Sequence, residues 1–476
     1  MKRKFLHDIS INTLQLILVQ GSGLVIFYLL STRLSKNEFG EINWVLALLL
    51  TSFGILAFGI DQIAVKRIAS GVDPAQLLST YINHVLIAGF LFYGMLWIIA
   101  VMFPSFSGHY QILLVLGFGK LMIFFSTPFK QITTGLEKFK PLFFMAATSN
   151  FLRALVLVVL GVLNQLNLSV IVIVFFATDL AELLVCLFIM YKILNVPVQL
   201  KWNGSEYKNM LREALPQFGV AIFTSALSRL DWIFLGILAS NVILAEYSFA
   251  YKVFEMATLP MLVISPVLMP RFTRLFNPAA GKIPEAKRVD LFVLLRIEII
   301  IASLVALLLN ILWVPVINLL TDNKYGSVNQ TTIVLLSASM PFLYFNNFLW
   351  TVNFAKGKLK MIFYVFLISF IVNLAGDIVL IPFFNATGAA IAYLAAIMLQ
   401  SILYFKKTEL DGLAKNSYQL LLCPLAAVVS CLLIKTVFSM LWVNLLVTPV
   451  FYFFLLYVTK QLRFADWHAF KRLTGF

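Results

Sequence analysis

Residues 168–193, LSVIVIVFFATDLAELLVCLFIMYKI, are the stretch of sequence that decides the fold class. Apolar residues dominate the whole run, and two acidic residues, Asp179 and Glu182, lie in its interior. A helix of about 20 apolar residues spans roughly 30 Å, the thickness of the hydrocarbon core of a bilayer. A transmembrane β-strand would instead show about ten residues of alternating polarity, which this run does not. The stretch therefore predicts a transmembrane α-helix.

Similar apolar runs recur along the whole chain. Of its 476 residues, 61% are hydrophobic and 12% are charged, whereas a soluble domain is about half apolar and about a quarter charged. No polar stretch is long enough to form a separate soluble domain. We therefore predict an all-α polytopic membrane protein with about fourteen transmembrane helices. The predicted spans cover residues 10–31, 41–64, 77–103, 110–134, 141–164, 168–193, 214–239, 245–269, 291–320, 331–355, 361–384, 387–405, 417–437 and 440–459.

Lysine and arginine are distributed unevenly between alternate loops of this arrangement. The predicted outer loops hold only Arg33, Lys36, Lys324 and Lys435, while the remaining loop cations, Lys130 among them, lie on the opposite side. Cytoplasmic loops of membrane proteins carry an excess of Lys and Arg. Both termini are therefore predicted to be cytoplasmic. The net charge of +15 marks one side of a membrane and does not indicate a nucleic-acid site.

A weak internal repeat divides the chain. Glu38-Phe39-Gly40 follows the first predicted span and Glu246-Tyr247-Ser248 follows the seventh, and each tripeptide opens the next span. Repeats that are separated by an even number of spans keep the same orientation, so two parallel halves are expected. We predict an N-terminal bundle over residues 1–200, a second bundle over residues 201–410, and two extra helices with a cytoplasmic tail over residues 411–476.

Charged residues inside the predicted spans are the strongest functional signal. A charge at the centre of a membrane costs about 2.5–3.5 kcal/mol on insertion scales, so such residues should face a cavity or a partner and not lipid. The intramembrane cations are Lys120, Arg153, Arg229, Lys252 and Arg296, and the acids are Asp61, Asp179, Glu182, Asp231, Glu255, Glu298 and Asp377.

Several loose motifs occur in an order and spacing typical of one family of membrane proteins. They are Leu34-Ser35-Lys36-Asn37-Glu38-Phe39-Gly40, Arg229-Leu230-Asp231, Ala245-Glu246-Tyr247, Pro266-Val267-Leu268-Met269-Pro270-Arg271-Phe272, and the turns Lys138-Phe139-Lys140 and Lys358-Leu359-Lys360. With these motifs the chain resembles the polysaccharide-transporter branch of the multidrug/oligosaccharidyl-lipid/polysaccharide exporter superfamily. The best-known members of that branch are O-antigen repeat-unit flippases.

The resemblance implies a fold of two six-helix bundles around a central cavity, two further C-terminal helices, and transport by alternating access. It implies that the substrate is an undecaprenyl-pyrophosphate-linked oligosaccharide, flipped across the bacterial cytoplasmic (inner) membrane for surface polysaccharide biosynthesis. The implied partners are this lipid-linked substrate, membrane lipids, and the polysaccharide polymerase and chain-length machinery. No nucleic-acid partner is expected.

The intramembrane cations suit such an anionic substrate. Arg and Lys in a cavity would replace the lost hydration of the phosphates, and Arg is the better bidentate partner. Arg153 and Arg229 are therefore the first candidates for substrate binding, followed by Lys252 and Lys120. The alternative is internal pairing: Lys252 and Glu255 are three residues apart and can pair along one helix.

Four of the intramembrane acids are candidates for coupling transport to an ion. A buried carboxylate can exchange a proton or Na⁺. Asp179 and Glu182 share a helix face at three-residue spacing, and Asp61 and Asp377 are further candidates. The alternative is that these acids form salt bridges that hold the bundles together. No sequence pattern identifies the coupling ion, whether H⁺ or Na⁺.

Enzymatic motifs are absent from the sequence. It contains no GxxxxGK[ST], no HExxH and no GxSxG, and its four histidines are scattered, so no catalytic residue, cofactor or metal site is predicted. Two other functions stay open. A drug or cation antiporter of the same superfamily would use an acid-rich, aromatic cavity. A membrane enzyme of polysaccharide assembly, such as a polymerase, would be expected to have larger and more charged outer loops than this chain.

Overall fold

The computed structural model describes residues 2–102, 107–261, 272, 275–276, 285–437 and 440–462. Within these ranges the chain forms helices and short connections and contains no strand, which confirms the predicted all-α class. The helices are α1 (Lys2–Arg33), α2 (Lys36–Leu56), α3 (Ile60–Ala69), α4 (Pro74–Met102), α5 (Ser107–Gly135), α6 (Phe139–Val162), α7 (Leu168–Phe188), α8 (Gly204–Leu238), α9 (Asn241–Ala257), α10 (Glu285–Leu320), α11 (Gln330–Ala338), α12 (Met340–Ala355), α13 (Leu359–Lys407), α14 (Leu413–Asn416), α15 (Gln419–Val437) and α16 (Leu441–Val458).

Among the described residues, ten helices are long and apolar enough to cross a membrane. Large apolar side chains such as Leu91 and Leu446 are mostly exposed on the protein surface, at 70% and 71%. Exposing such side chains to water along whole helices would be unfavourable, whereas a lipid environment accommodates them. The membrane-helical class is therefore confirmed, while the count of about fourteen spans stays a prediction.

Three of the predicted spans contain breaks. The span 41–64 is divided into α2 and α3, because Phe58 and Gly59 adopt left-handed backbone angles with φ of 53° and 71°. The span 331–355 is divided into α11 and α12 at Ser339, where Pro341 opens the second helix. The chain also makes a short π-helical turn at Ile189–Ile193, directly after α7.

The predicted spans 361–384 and 387–405 form the two arms of α13, which breaks at Asn385. Asn385 has φ 51° and ψ −131°, outside the helical region. The arms come so close after the break that a Cβ on Gly388 would lie 2.4 Å from the Leu380 carbonyl oxygen. Glycine is therefore required at position 388 for the backbone to approach itself.

The motif at residues 34–40 acts as a helix start. The Ser35 hydroxyl accepts a hydrogen bond from the Glu38 amide at 3.2 Å, and the Ser35 amide donates to the Glu38 carboxylate at 2.9 Å. This reciprocal pair is a capping box, which satisfies backbone donors that the first turn leaves unpaired. Ahead of the second copy of the repeat, the Ser240 hydroxyl accepts from the Ile243 amide at 3.3 Å and begins α9, three residues earlier relative to the repeat than Ser35. Both copies of the repeat thus mark a helix N-terminus. Residues 266–271 of the proline-bearing motif lie outside the described residues.

The contacts divide the chain into two compact units, Met1–Gly236 and Ile237–Phe476. In the first unit, α5 packs against α2, α3, α4, α6 and α7, and in the second, α10 packs against α9, α11, α12, α15 and α16. The predicted boundaries at residues 200 and 410 stay predictions. Most of α8 belongs to the first unit.

Ion pairs tie the beginning of α8 to the end of α3. The Arg67 Nε donates to Glu213 Oε2 at 2.8 Å, the Lys66 Nζ donates to Glu213 Oε1 at 3.0 Å, and the Arg67 guanidinium also pairs with Glu206. Hydrogen bonds from Lys66 and Arg67 lower the pKa of the Glu213 carboxyl below its usual value. We call these four residues the α3–α8 clasp.

Candidate functional site

The candidate site is a group of buried charges carried by α5, α6 and α7 of the first unit. Helices α5 and α7 approach closely at Gly119, where a Cβ would lie 3.2 Å from both Asp179 Oδ2 and the Phe176 Cα. The missing side chain lets Asp179 lie directly against the backbone of α5. One turn of α7 thereby reaches both Lys120 on α5 and Arg153 on α6.

Asp179 is the centre of this group, and only 1% of its surface is exposed. Its Oδ2 accepts a hydrogen bond from Lys120 Nζ at 2.8 Å, and its Oδ1 accepts one from the Arg153 guanidinium. The Arg153 Nε also donates to the Thr178 hydroxyl at 3.2 Å. The Phe175 ring lies 4.1 Å from the Arg153 guanidinium carbon and 5.7 Å from Lys120 Nζ, within the range of cation–π attraction.

Glu182, one turn further along α7, is the second buried acid. Its Oε1 accepts a hydrogen bond from Lys130 Nζ at 2.7 Å. Its Oε2 accepts hydrogen bonds from the Ser149 hydroxyl and from the Ser149 amide, the latter at 3.3 Å. Lys130 is not among the sequence-predicted site residues, since its place near the cytoplasmic end of a span is typical of a loop cation. Lys130 follows Lys120 by ten residues, about 15 Å along the axis of α5. Its side chain is 18% exposed.

Asp61 lies at the border of the same group. It accepts a hydrogen bond from the Tyr81 hydroxyl, and Lys130 is within electrostatic range of its carboxylate. The group thus combines the cations Lys120, Lys130 and Arg153 with the carboxylates Asp61, Asp179 and Glu182, and we call it the N-unit charge network. In this conformation the cations and carboxylates of the network pair with one another, which is the internal pairing that the sequence left open as an alternative.

Arg229 lies on α8, a helix that carries none of the residues of the N-unit charge network. Its guanidinium carbon is 4.4 Å from the Trp232 ring, a cation–π geometry. The neighbouring Asp231 is 3% exposed and accepts a hydrogen bond from the Trp232 amide at 2.9 Å. Arg229 and Asp231 therefore belong to a second local group on one helix.

Two predicted site residues belong to the second unit. Lys252 Nζ pairs with Glu255 Oε2 at 2.8 Å along α9, at the three-residue spacing seen in the sequence. Asp377 is fully buried in α13, and its Oδ2 accepts a hydrogen bond from the Asn373 amide at 3.0 Å. The structure therefore brings Lys120, Arg153, Asp61, Asp179 and Glu182 into one network, whereas Arg229, Lys252 and Asp377 lie on α8, α9 and α13.

The described residues contain no group of three or more His, Cys, Asp or Glu side chains that could hold a metal ion. Cys186 and Cys423 are buried, Cys431 is partly buried, and all three are free thiols. The contacts of the N-unit charge network are charge pairing and hydrogen bonding.

These features define a class: an α-helical membrane protein that crosses the bilayer many times and buries paired charges between its helices. A family model described as polysaccharide biosynthesis protein matches residues 5–276, more than half of the chain. The chain belongs to this family of polysaccharide biosynthesis proteins. The match includes every residue of the N-unit charge network. No sequence among the curated proteins matches the chain.

Solved structures identify the fold. The chain is similar to the lipid II flippase MurJ in an inward closed conformation, with 14% identity, coverage of 94% of this chain and 99% of that chain, and a TM-score of 0.73. It is also similar to an inward-facing multidrug resistance MATE family transporter of the MOP superfamily, with 13% identity, coverage of 87% and 98%, and a TM-score of 0.67. A MOP superfamily transporter from Pyrococcus furiosus matches with 13% identity, coverage of 87% and 93%, and a TM-score of 0.54. These likenesses show the fold that the chain shares with such transporters, and together with the family match they confirm the resemblance to the polysaccharide-transporter branch.

Proposed function

We propose that this protein is a flippase that moves undecaprenyl-pyrophosphate-linked oligosaccharide repeat units across the bacterial cytoplasmic membrane by alternating access. Membership of a polysaccharide biosynthesis family and a fold shared with a lipid II flippase support this function. The observation that carries the proposal is the placement of Lys120 and Arg153 on one buried carboxylate, Asp179. Such an arrangement keeps two strong phosphate-binding groups ready inside the membrane.

In this proposal, Asp179 pairs with Lys120 and Arg153 whenever no substrate phosphate is bound to them. Unpaired cations are costly in a low-dielectric interior, so Lys120 and Arg153 need an anionic partner whenever no substrate is bound. A pyrophosphate group offers the same partners: its oxygens accept from the Arg fork and from the Lys ammonium. Substrate binding then exchanges one anion for another at the two cations, while the displaced Asp179 carboxylate takes up a proton or another cation and is not left as an unpaired charge. Arg229 and Lys252 are proposed as further contacts along the path of the substrate.

The same carboxylates link ion binding to substrate binding. A proton or other cation bound at Asp179 neutralises the charge that holds Lys120 and Arg153, which frees both for phosphate. Glu182 controls Lys130 in the same way through its 2.7 Å hydrogen bond. Asp61 and Asp377 remain proposed as additional coupling groups. The protein is proposed to act without an enzymatic step, alongside the polymerase and the chain-length machinery that use the flipped unit.

A drug or cation antiporter is the second candidate function, favoured by the similarity to a MATE transporter. A cationic drug would need free carboxylates in its site. In the N-unit charge network, however, Asp179 and Glu182 are already paired with cations from the protein. An anionic substrate fits this arrangement better than a cationic one.

The pool of lipid-linked oligosaccharide in cells that lack the chain tests the proposal. A lost flippase leaves polyprenyl-pyrophosphate oligosaccharides accumulated on the cytoplasmic face, while the surface polymer disappears. Complementation with Arg153→Ala or Lys120→Ala should fail to restore the polymer. Lys192→Ala is the matched control, because Lys192 lies just beyond α7 and contacts only the Tyr191 ring among the described contacts. An unchanged pool together with an unchanged surface polymer would contradict the proposal and favour drug or cation export.

A further inference from the structure

Helix α10 of the second unit carries an acidic residue that differs from the acids described above. Glu298 is 2% exposed, and neither of its carboxylate oxygens has a hydrogen-bond partner within the part of the chain that the structure describes. Asp179 and Glu182, which are equally buried, each accept at least two hydrogen bonds. The residues beside Glu298 are apolar: Ile299 is fully buried and Leu295, one turn earlier, is as well.

The helices packed against α10 bring few charged or titratable groups near Glu298. From α12, the fully buried Tyr344 is the group that interacts electrostatically with Glu298. From α15, Cys423 interacts with Arg296, which is two residues before Glu298 and so lies on a different helix face. From α16, the Tyr452 hydroxyl is already used, since it donates to the Ile300 carbonyl at 3.1 Å.

The remaining two neighbours of α10 do not supply a counter-charge. Lys252 and Glu255 of α9 form their own ion pair at 2.8 Å. Helix α11, Gln330–Ala338, contains no titratable residue. Within the described residues, Glu298 therefore pairs with no cation and accepts no hydrogen bond, although it lies in the middle of an apolar core.

An ionised carboxylate in such a place would lose its hydration without gaining an ion pair or a hydrogen bond in this conformation. Sodium would need several oxygen ligands, and the described surroundings offer only the Tyr344 hydroxyl. A proton needs no further ligand. We propose that Glu298 is a proton-binding site, which holds its proton in this conformation and releases it to water when the transport cycle admits water between α10 and α12.

The two halves of this proposal have separate foundations. That the carboxyl carries a proton is a property of the folded chain alone. That it releases the proton during the cycle rests on the proposed transport function. An experiment on the protonation state therefore stays informative even if the protein transports something else or nothing at all.

Infrared spectroscopy of the purified full-length protein in lipid nanodiscs tests the first half. At about neutral pH, the wild type should show the carbonyl stretching band of a protonated carboxyl, and the variant Glu298→Gln should lose that band. Glu255→Gln is the matched control and should keep it, because Glu255 is ion-paired with Lys252. An identical spectrum for wild type and Glu298→Gln would overturn the proposal, since Glu298 would then be ionised.

A second variant guards against a folding defect. Glu298→Met replaces the acid with an apolar side chain of similar length and should unfold at a temperature no lower than that of the wild type. A lower unfolding temperature for this variant, with no change in the carboxyl band, would identify Glu298 as half of a structural ion pair and reject the proton site.

Proteoliposomes test the second half. A lipid-linked oligosaccharide analogue should be flipped faster by the wild type under a pH gradient than without one, and Glu298→Gln should lose this acceleration while still flipping without a gradient. If the wild type does not flip the analogue, the proposed function fails and the infrared result still decides the proton site. If Glu298→Gln keeps the acceleration, the role in coupling is wrong.

Discussion

At the scale of single residues, Asp179 determines the state of two cations, and its charge can be removed without changing its shape. Asp179→Asn leaves Lys120 and Arg153 buried without the carboxylate that pairs with both of them. Breaking a buried ion pair by removing one partner costs about 3–5 kcal/mol. We therefore expect the variant to be destabilised by about that amount, measured by denaturant or thermal unfolding in one detergent.

Asp411→Asn is the control for that measurement. Asp411 is 92% exposed and its nearest cation, Arg288, is 3.4 Å away. Exposed ion pairs contribute about 0–1 kcal/mol, so this variant should be nearly as stable as the wild type. Equal stability of Asp179→Asn and Asp411→Asn would mean that the Asp179 carboxylate does not compensate the two cations in the folded protein.

The residue scale also shows what the sequence could predict about the site. It singled out Asp179 and Glu182 because two acids inside an apolar run are costly unless they have a role. The sequence could not identify the partners of these acids. Lys120 is 59 residues away from Asp179, and residue spacing does not show which helices are neighbours. Lys130 was missed for a related reason: its burial depends on Glu182 of α7, which no local pattern reports.

At the scale of structural elements, the break in α13 depends on one glycine. A Cβ at Gly388 would lie 2.4 Å from the Leu380 carbonyl oxygen, so Gly388→Ala forces the two arms apart. We expect this overpacking to cost about 1–3 kcal/mol. Gly21→Ala is the matched control within α1, because nothing lies within 4 Å of its added methyl, and alanine favours a helix by about 0.5–1 kcal/mol. Thermal unfolding of both variants measures the difference, and equal unfolding temperatures would refute the close approach.

The α3–α8 clasp makes a prediction about pH. Because Lys66 and Arg67 lower the pKa of Glu213 in the folded protein, the ionised carboxylate contributes stability above the ordinary pKa of Glu, and this contribution is lost as pH falls through the lowered value. We expect amide hydrogen exchange at the start of α8, residues 204–213, to quicken relative to the rest of the chain between about pH 5 and about pH 3.

Glu213→Gln tests the cause of that change. The variant should show the faster local exchange already at neutral pH and should lose most of the pH-dependent change. A local exchange rate that does not respond to pH in the wild type would mean that the clasp does not hold α8. The local readout is necessary because partly exposed ion pairs change global stability little.

At the scale of the whole molecule, long continuous apolar runs predicted the helical class, because a helix forms all of its backbone hydrogen bonds within its own segment of the membrane. The same rule does not say where a helix breaks or how helices pack, and these features were not predicted. The break between α2 and α3 depends on positive φ angles at Phe58 and Gly59, and the π-helical turn after α7 has no marker in the sequence. The packing of α10 around Glu298 was equally hidden, because burial depends on five neighbouring helices and not on α10 alone.

The charges at the two ends of α6 determine the orientation of the chain in the membrane. The two ends of α6 differ in charge: Lys138 and Lys140 lie at its start, whereas Asn164–Asn167 carries no charge. Excess positive charge stays in the cytoplasm, so we expect Gln165→Cys, in a background with alanine at the three native cysteines, to react with an impermeant maleimide in spheroplasts. Lys140→Cys should react only after permeabilisation. Both positions are exposed on the protein, so accessibility depends on the membrane alone. The reverse pattern would invert the chain, and equal labelling would mean that α6 does not cross the bilayer.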